Sequence, residues 1–259
     1  MECTPGSRPG RECRECACRS EDPAGAKVTF VVGTGLIARA FASFQRRIPD
    51  ACIFASGVSN STCTEAAPFE RERRLLDEML VRHADAANFV YFSTCSVDDP
   101  MSKGSAYVTH KLGMEDRVRA HSGHLIVRLP QVAGNTRNPH TLLNYLRDRI
   151  VRREHFSVWG AARRNIIDVD DAATIVVDLL AVERAQAETV AVANSFGVSV
   201  LEVVAALEEV LGEKGDYSVV PRGEGYAIDT RRVTAAIDRN GIKFDEGYLR
   251  AVVRKYYTP

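Results

Sequence analysis

The chain has 259 residues, and 34 lysines and arginines balance 34 aspartates and glutamates. Hydrophobic residues make up 45% and charged residues 26%, enough to bury one large domain, or a domain and a smaller lobe. The even balance leaves no global field for nucleic acid or an anionic membrane, and the richest apolar run, 173–182, is broken by Asp178 and falls short of the ~20 residues a membrane span needs.

Residues 1–26 are charged, rich in Pro, Gly and Arg, and lack an apolar centre. They read as a disordered or mis-started tail rather than a secretory leader, and a cytoplasmic location follows by default. Cys3, Cys13, Cys16 and Cys18 lie in this tail. A zinc site there is the weaker reading, so no metal is expected. Cys52, Cys63 and Cys95 are scattered and read as free thiols.

Val28–Val32 is a β-branched and aromatic run of the kind found in a buried parallel strand. Gly33-Thr34-Gly35 turns the chain, and Leu36 opens a helix whose inward positions include Ile37, Ala40, Phe41 and Phe44. Glycines at such a turn let backbone N–H groups approach a pyrophosphate, with the positive end of the helix behind them. Gly-x-Gly-x-x-Ala, with Ala38 last, is a tolerated form of the dinucleotide fingerprint.

A strand at 51–55 leads into a loop of small residues. An amphipathic helix over 69–83 follows, with Phe69, Leu75, Leu76, Met79 and Leu80 turned inward. Next come a strand from Asn88 ending near Ser93-Thr94, a helix over 105–121 and a strand from His124 into the loop at Pro130. Further helices are expected over 141–153, 170–183, 199–212 and 246–257, with strands at 156–160 and 189–195. This alternation predicts an α/β fold, a doubly wound parallel sheet covered on both faces.

Four separated features carry a family resemblance: the glycine turn at 33–35, Ser93-Thr94 with Val97 three further on, Tyr107-x-x-x-Lys111, and the stretch 163–173 beginning Arg163-Arg164-Asn165. Together they resemble the extended branch of the short-chain dehydrogenase/reductase superfamily, the NAD-dependent epimerase/dehydratase family, from Lys27 to Tyr257 in order. The resemblance implies a Rossmann-like core over 27–129, its sheet completed by about 187–194. It also implies a smaller substrate-binding lobe over 130–165 and 195–259.

It further implies NAD or NADP as cofactor, a nucleotide-diphosphate sugar as substrate and a homodimer as assembly. Gly33, Thr34, Gly35, Leu36, Ile37, Ala55, Ser56, Gly57, Ser93 and Pro130 would then lie along the cofactor, together with Tyr107 and Lys111. Thr94 would hydrogen-bond the reacting oxygen, Tyr107 would move the proton and Lys111 would hold the nicotinamide ribose. Ser93 and Ser96 are alternatives to Thr94, although strand alternation turns Ser93 to the opposite face. Gln131, Arg164 and Arg222 would contact the substrate, the two arginines at its diphosphate. Tyr107 and Lys111 stand one helical turn apart, so both reach one place, where a nearby ammonium favours the phenolate.

The chain also departs from the pattern. Only one strand, 51–55, lies between the first helix and the helix at 69–83. If it is the second strand, the acid expected for the adenosine ribose is replaced by Ala55 or Ser56. If it is the fourth, the reading favoured here, the second and third strands are missing and the sheet is shortened in its first half. Cys95-Ser96 stands where the family's sugar dehydratases carry Asp-Glu, which disfavours dehydration. The leading expectation is an NAD(P)-dependent epimerase or reductase acting on a nucleotide sugar, at C4 through a keto species. The alternatives are a binding protein that has lost redox chemistry, and a reductase of a non-sugar carbonyl compound.

Overall fold

The computed structural model describes residues 28–48 and 50–258; the expectations for the cysteine-bearing tail lie outside the described residues. The chain opens with strand β1 (Phe30–Val32) and helix α1 (Leu36–Ala42). Strand β2 (Ala51–Phe54), helix α2 (Ala66–Arg82), strand β3 (Asn88–Thr94), helix α3 (Ala106–Val118) and strand β4 (His124–Leu129) follow. Next are β5 (Gln131–Ala133), α4 (Leu142–Arg152), β6 (Phe156–Trp159), β7 (Arg163–Asp168), α5 (Val169–Ala181) and β8 (Glu188–Ala191). β9 (Gly197–Ser199), α6 (Val200–Leu211), β10 (Tyr217–Val220), α7 (Thr234–Arg239) and α8 (Tyr248–Tyr257) complete the order.

Strands β1, β2, β3, β4 and β8 form one parallel sheet in that spatial order. Alternation along β3 sends Val90 and Phe92 to one face and Phe89 and Tyr91 to the other. On the first face they meet Phe41 of α1, Ile175 and Leu179 of α5, and Ile237 of α7. On the second, they pack with Leu76 and Met79 of α2 and with Met114 and Val118 of α3. Each fully buried Leu, Ile or Met side chain of this kind contributes roughly 1.5–3 kcal/mol. The sheet is therefore Rossmann-like and covered on both faces, as the alternation of strand and helix predicts.

The two readings of 51–55 are separated by pairing. β1 lies against β2 and, among the described residues, has no strand on its other side. β2 thus occupies the place of the fourth strand, and the shortening precedes it. Val28 and Phe30 are exposed along the free edge, where Phe30 stacks on His83 at the end of α2.

A second apolar cluster joins Leu146 and Ile150 of α4, Phe156 of β6, Val203 and Leu207 of α6, and Val253 of α8. It supports a parallel pair, β6 with β10, and a three-stranded sheet in the order β5-β7-β9. β5, β7, β9, β10 and α7 go beyond the elements expected from sequence. Each has three to six residues, too short for a hydrophobic period to show. No helix among the described residues is long and apolar enough to cross a membrane.

The glycine turn explains how β1 meets the loop after β2. Gly33 has φ +120°, and a Cβ there would stand 2.5 Å from the Ala55 carbonyl oxygen. Gly35, the N-cap of α1, has φ −73° and nothing within 4 Å of a Cβ. Gly33→Ala should therefore lower stability by about 2 kcal/mol or more, whereas Gly35→Ala should cost under about 1 kcal/mol. Urea unfolding midpoints of the two variants test this; equal losses would contradict the assignment of the tight approach to Gly33.

Candidate active site

In a parallel α/β sheet, ligands bind beyond the carboxyl ends of the strands. A cleft of about 430 Å³ lies there, against the segments that follow β1, β2, β3 and β4. From the expected cofactor set, Gly35, Leu36, Ile37, Ala55, Gly57, Ser93 and Pro130 line it. Gly33, Thr34 and Ser56 do not; Gly33 shapes the turn instead. Thr94, Tyr107 and Lys111 all line the cleft, and so do Gln131 of β5 and Arg164 of β7. Arg222 does not. It is exposed, and its guanidinium lies over the Trp159 ring, 4.5 Å from the centroid. That stacking satisfies the flat cation outside the cleft.

Thr94 is the last residue of β3, level with Leu129 of β4. Its hydroxyl oxygen accepts from the Ser96 amide at 3.1 Å, which leaves its proton free to point elsewhere. Ser93, one residue back, faces the other way. Its hydroxyl donates to Glu115 Oε1 at 2.6 Å, beneath Arg128, so it can offer a ligand in the cleft main chain alone. The Glu115 carboxyl is pushed up by burial, but bonds from Arg128 and Ser93 and the charges of Arg128 and Arg119 hold it below the usual range.

Helix α3 begins at Ser105, whose side chain accepts from the Val108 amide. The helix carries Tyr107 and Lys111 inward on one face, both buried, with Lys111 Nζ 5.9 Å from the Tyr107 ring centroid. The expected proximity is present. Lys111 is not a lone cation, however. Its ammonium donates to Glu72 Oε1 at 3.0 Å, to the Tyr91 hydroxyl at 3.1 Å and to the Phe92 carbonyl at 3.4 Å. An ammonium has three N–H donors, and all three are engaged. To reach a ribose hydroxyl, Lys111 must release one of them, and the longest is the bond to Phe92.

Glu72 is the residue that sequence reasoning missed. It sits on α2, is fully buried, and accepts from four groups: Val58 N at 2.6 Å, Tyr91 Oη at 2.7 Å, Lys111 Nζ at 3.0 Å and His110 Nε2 at 3.0 Å. Its neighbours in sequence are nearly all charged, which suggests a solvated face. The signal was its spacing: Glu72 falls three after Phe69, four before Leu76 and seven before Met79, on the inward stripe. A Cβ on Gly57 would stand 2.7 Å from Lys111 Nζ and 3.0 Å from Glu72 Oε1, so the loop after β2 presses directly on the pair. Tyr226 was also missed. It reaches the cleft from the loop after β10, and its phenol is pushed up by burial. Arg164, Asn165 and Tyr226 continue from the cleft into an adjoining cavity of about 400 Å³.

Burial pushes the Glu72 carboxyl up, but the Lys111 charge and the bonds from His110, Val58 and Tyr91 outweigh it and hold the pKa at about 2, against an ordinary 4.5. A folded value below the unfolded one means stabilisation complete above pH ~4.5 that fades as pH falls toward 2. The shift corresponds to something on the order of 3 kcal/mol, of which about 2 kcal/mol is lost by pH 3. Between pH 7 and 3, the parent should therefore lose more stability in urea than Glu72→Gln does, by that order. Parallel pH profiles for the two would contradict the assignment.

Solved structures share the fold. MoeE5 in complex with UDP-glucose and NAD superposes with a TM-score of 0.68 at 16% identity, over 88% of this chain and 96% of that one. RMD from Pseudomonas aeruginosa complexed with NADPH gives 0.64 at 14% identity, over 87% and 97%. A UDP-galactose 4-epimerase gives 0.62 at 19% identity, over 79% and 75%. No curated protein sequence matches the chain significantly. Residues 50–193 match the model of the NAD dependent epimerase/dehydratase family, and with more than half of its length matched the chain belongs to that family.

Proposed function

We propose that the protein is an NAD(P)-dependent enzyme that epimerises or reduces a nucleotide-activated sugar, acting at C4 through a keto species. The observation that carries this reading is that Thr94, Tyr107, Lys111 and Arg164 line one cleft at the carboxyl ends of the sheet. The neighbours with bound UDP-glucose, NAD or NADPH support it.

The residues fit a nicotinamide nucleotide in its nicotinamide half. The turn at Gly35 is open where a pyrophosphate would approach, with nothing within 4 Å of a Cβ position, and Pro130 lies on the lining beside Thr94 and Tyr107, where the ring would sit. The adenosine half is barer, because β1 is an edge strand among the described residues and no neighbouring strand offers an acid to a ribose. When bound, the nicotinamide supplies the hydride acceptor or donor. The protein's own part is proton handling and positioning. The Tyr107 phenol takes or gives the proton at the sugar oxygen, the Thr94 hydroxyl donates a hydrogen bond to that oxygen, and Lys111, 5.9 Å from the phenol ring, is in place to hold the ribose. Arg164 offers a guanidinium fork to the diphosphate from the β7 side. Cys95 and Ser96, after Thr94, provide no carboxyl pair for removing water.

On this reading the core is 27–129 completed by 187–194, and the lobe that takes the sugar nucleotide is 130–165 with 195–259. A homodimer through a helix pair that includes α3, where Leu112 is exposed, and a cytoplasmic location belong to the same proposal. The saturation of Lys111 favours a second reading, a binding protein without turnover. It differs from the first in one outcome: such a protein gains nothing from Tyr107.

Tyr107→Phe should fold as the parent does and lose turnover by ~10²–10⁴-fold. A panel of nucleoside diphosphates should raise the melting temperature of the parent, with about 2.7 kcal/mol of stabilisation at a hundredfold excess over Kd, and Arg164→Ala should abolish most of that rise. Full turnover in Tyr107→Phe would remove the proton donor, and no stabilisation by any diphosphate would remove the sugar nucleotide.

A further inference from the structure

The carboxylate of Glu72 performs no step in the chemistry above, yet it is fully buried and bonded directly to the cleft's ammonium. Other charged clusters act elsewhere: Glu115 with Arg128 and Arg119 lies behind Ser93, and Asp168 with Lys255 fastens the terminal helix. Glu72 forms an ion pair with the cation that lines the cleft, whereas Glu115 reaches the cleft only through the Ser93 hydroxyl, and Gly57 leaves the Glu72–Lys111 pair no room to loosen toward the loop.

The charge seen from the cleft follows from this pairing. A lone buried ammonium repels a cationic ring and is indifferent to a neutral one, so it favours the reduced nicotinamide over the oxidised. An ammonium closed onto a carboxylate at 3.0 Å presents a dipole with no net charge. His110, bonded to the other carboxylate oxygen, completes the titratable groups facing Glu72, together with Tyr91.

Resting on the functional reading above, we infer that Glu72 is a positioning residue that sets the redox preference of the nicotinamide site. By making Lys111 half of a neutral buried pair, it lets the oxidised and reduced rings bind with similar strength. A site so balanced suits a reaction in which hydride leaves the sugar and returns to it without cofactor exchange. This favours epimerisation over net reduction for the chain.

The test is calorimetric titration of NAD⁺ and NADH, or NADP⁺ and NADPH if those are the forms that bind. Three proteins are compared: the parent, Glu72→Gln, and the double variant Glu72→Gln with Lys111→Met. Circular dichroism melting establishes that each is folded. The parent should bind the two forms within a fewfold of each other. Glu72→Gln should weaken the oxidised form relative to the reduced by on the order of tenfold. The double variant, with both charges gone, should return the ratio toward that of the parent. If Glu72→Gln weakens both forms equally, the residue is structural and the inference is overturned while the functional reading stands. If Glu72→Gln does not fold, a tenfold change of ratio in the double variant overturns it equally. Failure of the parent to bind either form overturns the functional reading, and the inference with it.

Discussion

One buried ion pair holds this site together. Glu72 and Lys111 meet beneath the strand ends, and their bonds reach α2, α3, β3 and the loop after β2 at once. Moving two charges out of water is expensive, and their attraction compensates when the remaining hydrogen-bonding capacity is filled. Here it is filled on both sides. The consequence is positional: α3 cannot rotate without breaking the pair, so Tyr107 is kept on the cleft side, one turn before Lys111. One turn further along, Glu115 makes a second anchor through Arg128 of β4 and Ser93 of β3. Two charged contacts four residues apart fix the helix against the sheet more specifically than Met114 and Val118 would by apolar packing alone.

The opposite wall of the cleft is fixed from a distance. Arg164 and Asn165 begin strand β7, and Asp168 ends it by accepting from the Asp170 amide at the start of α5. Asp168 also receives Lys255 Nζ and the Tyr256 hydroxyl, both at 2.7–2.8 Å, while the Tyr248 hydroxyl donates to Asp171 and accepts from the Asp168 amide. The terminal helix is thereby tied to the far end of the strand that carries Arg164. Asn165 exchanges bonds with the main chain of Asn194, just after β8, which links that strand to the central sheet. A substitution in α8 can therefore reach the cleft through the register of β7, without touching a ligand.

The sequence made the central sheet legible because its strands are apolar on both faces and its turns carry glycine. Gly33 is a clear case, since the residue type and the backbone angle agree. The Tyr107–Lys111 spacing was equally readable, because a helix places such pairs side by side. What could not be read was the company the lysine keeps. Glu72 is 39 positions away and lies among charged neighbours, and only the folded α2 turns it inward. Arg222 is the reverse case: its place in the chain suggests a diphosphate ligand, and the structure sets its guanidinium over the nearby Trp159 ring. The short strands β5, β9 and β10 pair with partners far away in the chain, and three or four residues hold no periodic signal. Tyr226 came from a loop, where no pattern announces which side chain turns toward a cleft.

The central claim is that a hydroxyl, a phenol and an ammonium surround the place of a nicotinamide ring. A crystal structure of the protein soaked with NADH or NADPH measures this most directly. The account predicts density for the pyrophosphate against the turn at Gly35 and for the ring beside Pro130, with its reactive edge facing the Thr94 and Tyr107 hydroxyls and Lys111 still joined to Glu72. A dinucleotide bound elsewhere, or a cleft that stays empty at saturating concentration, would contradict it.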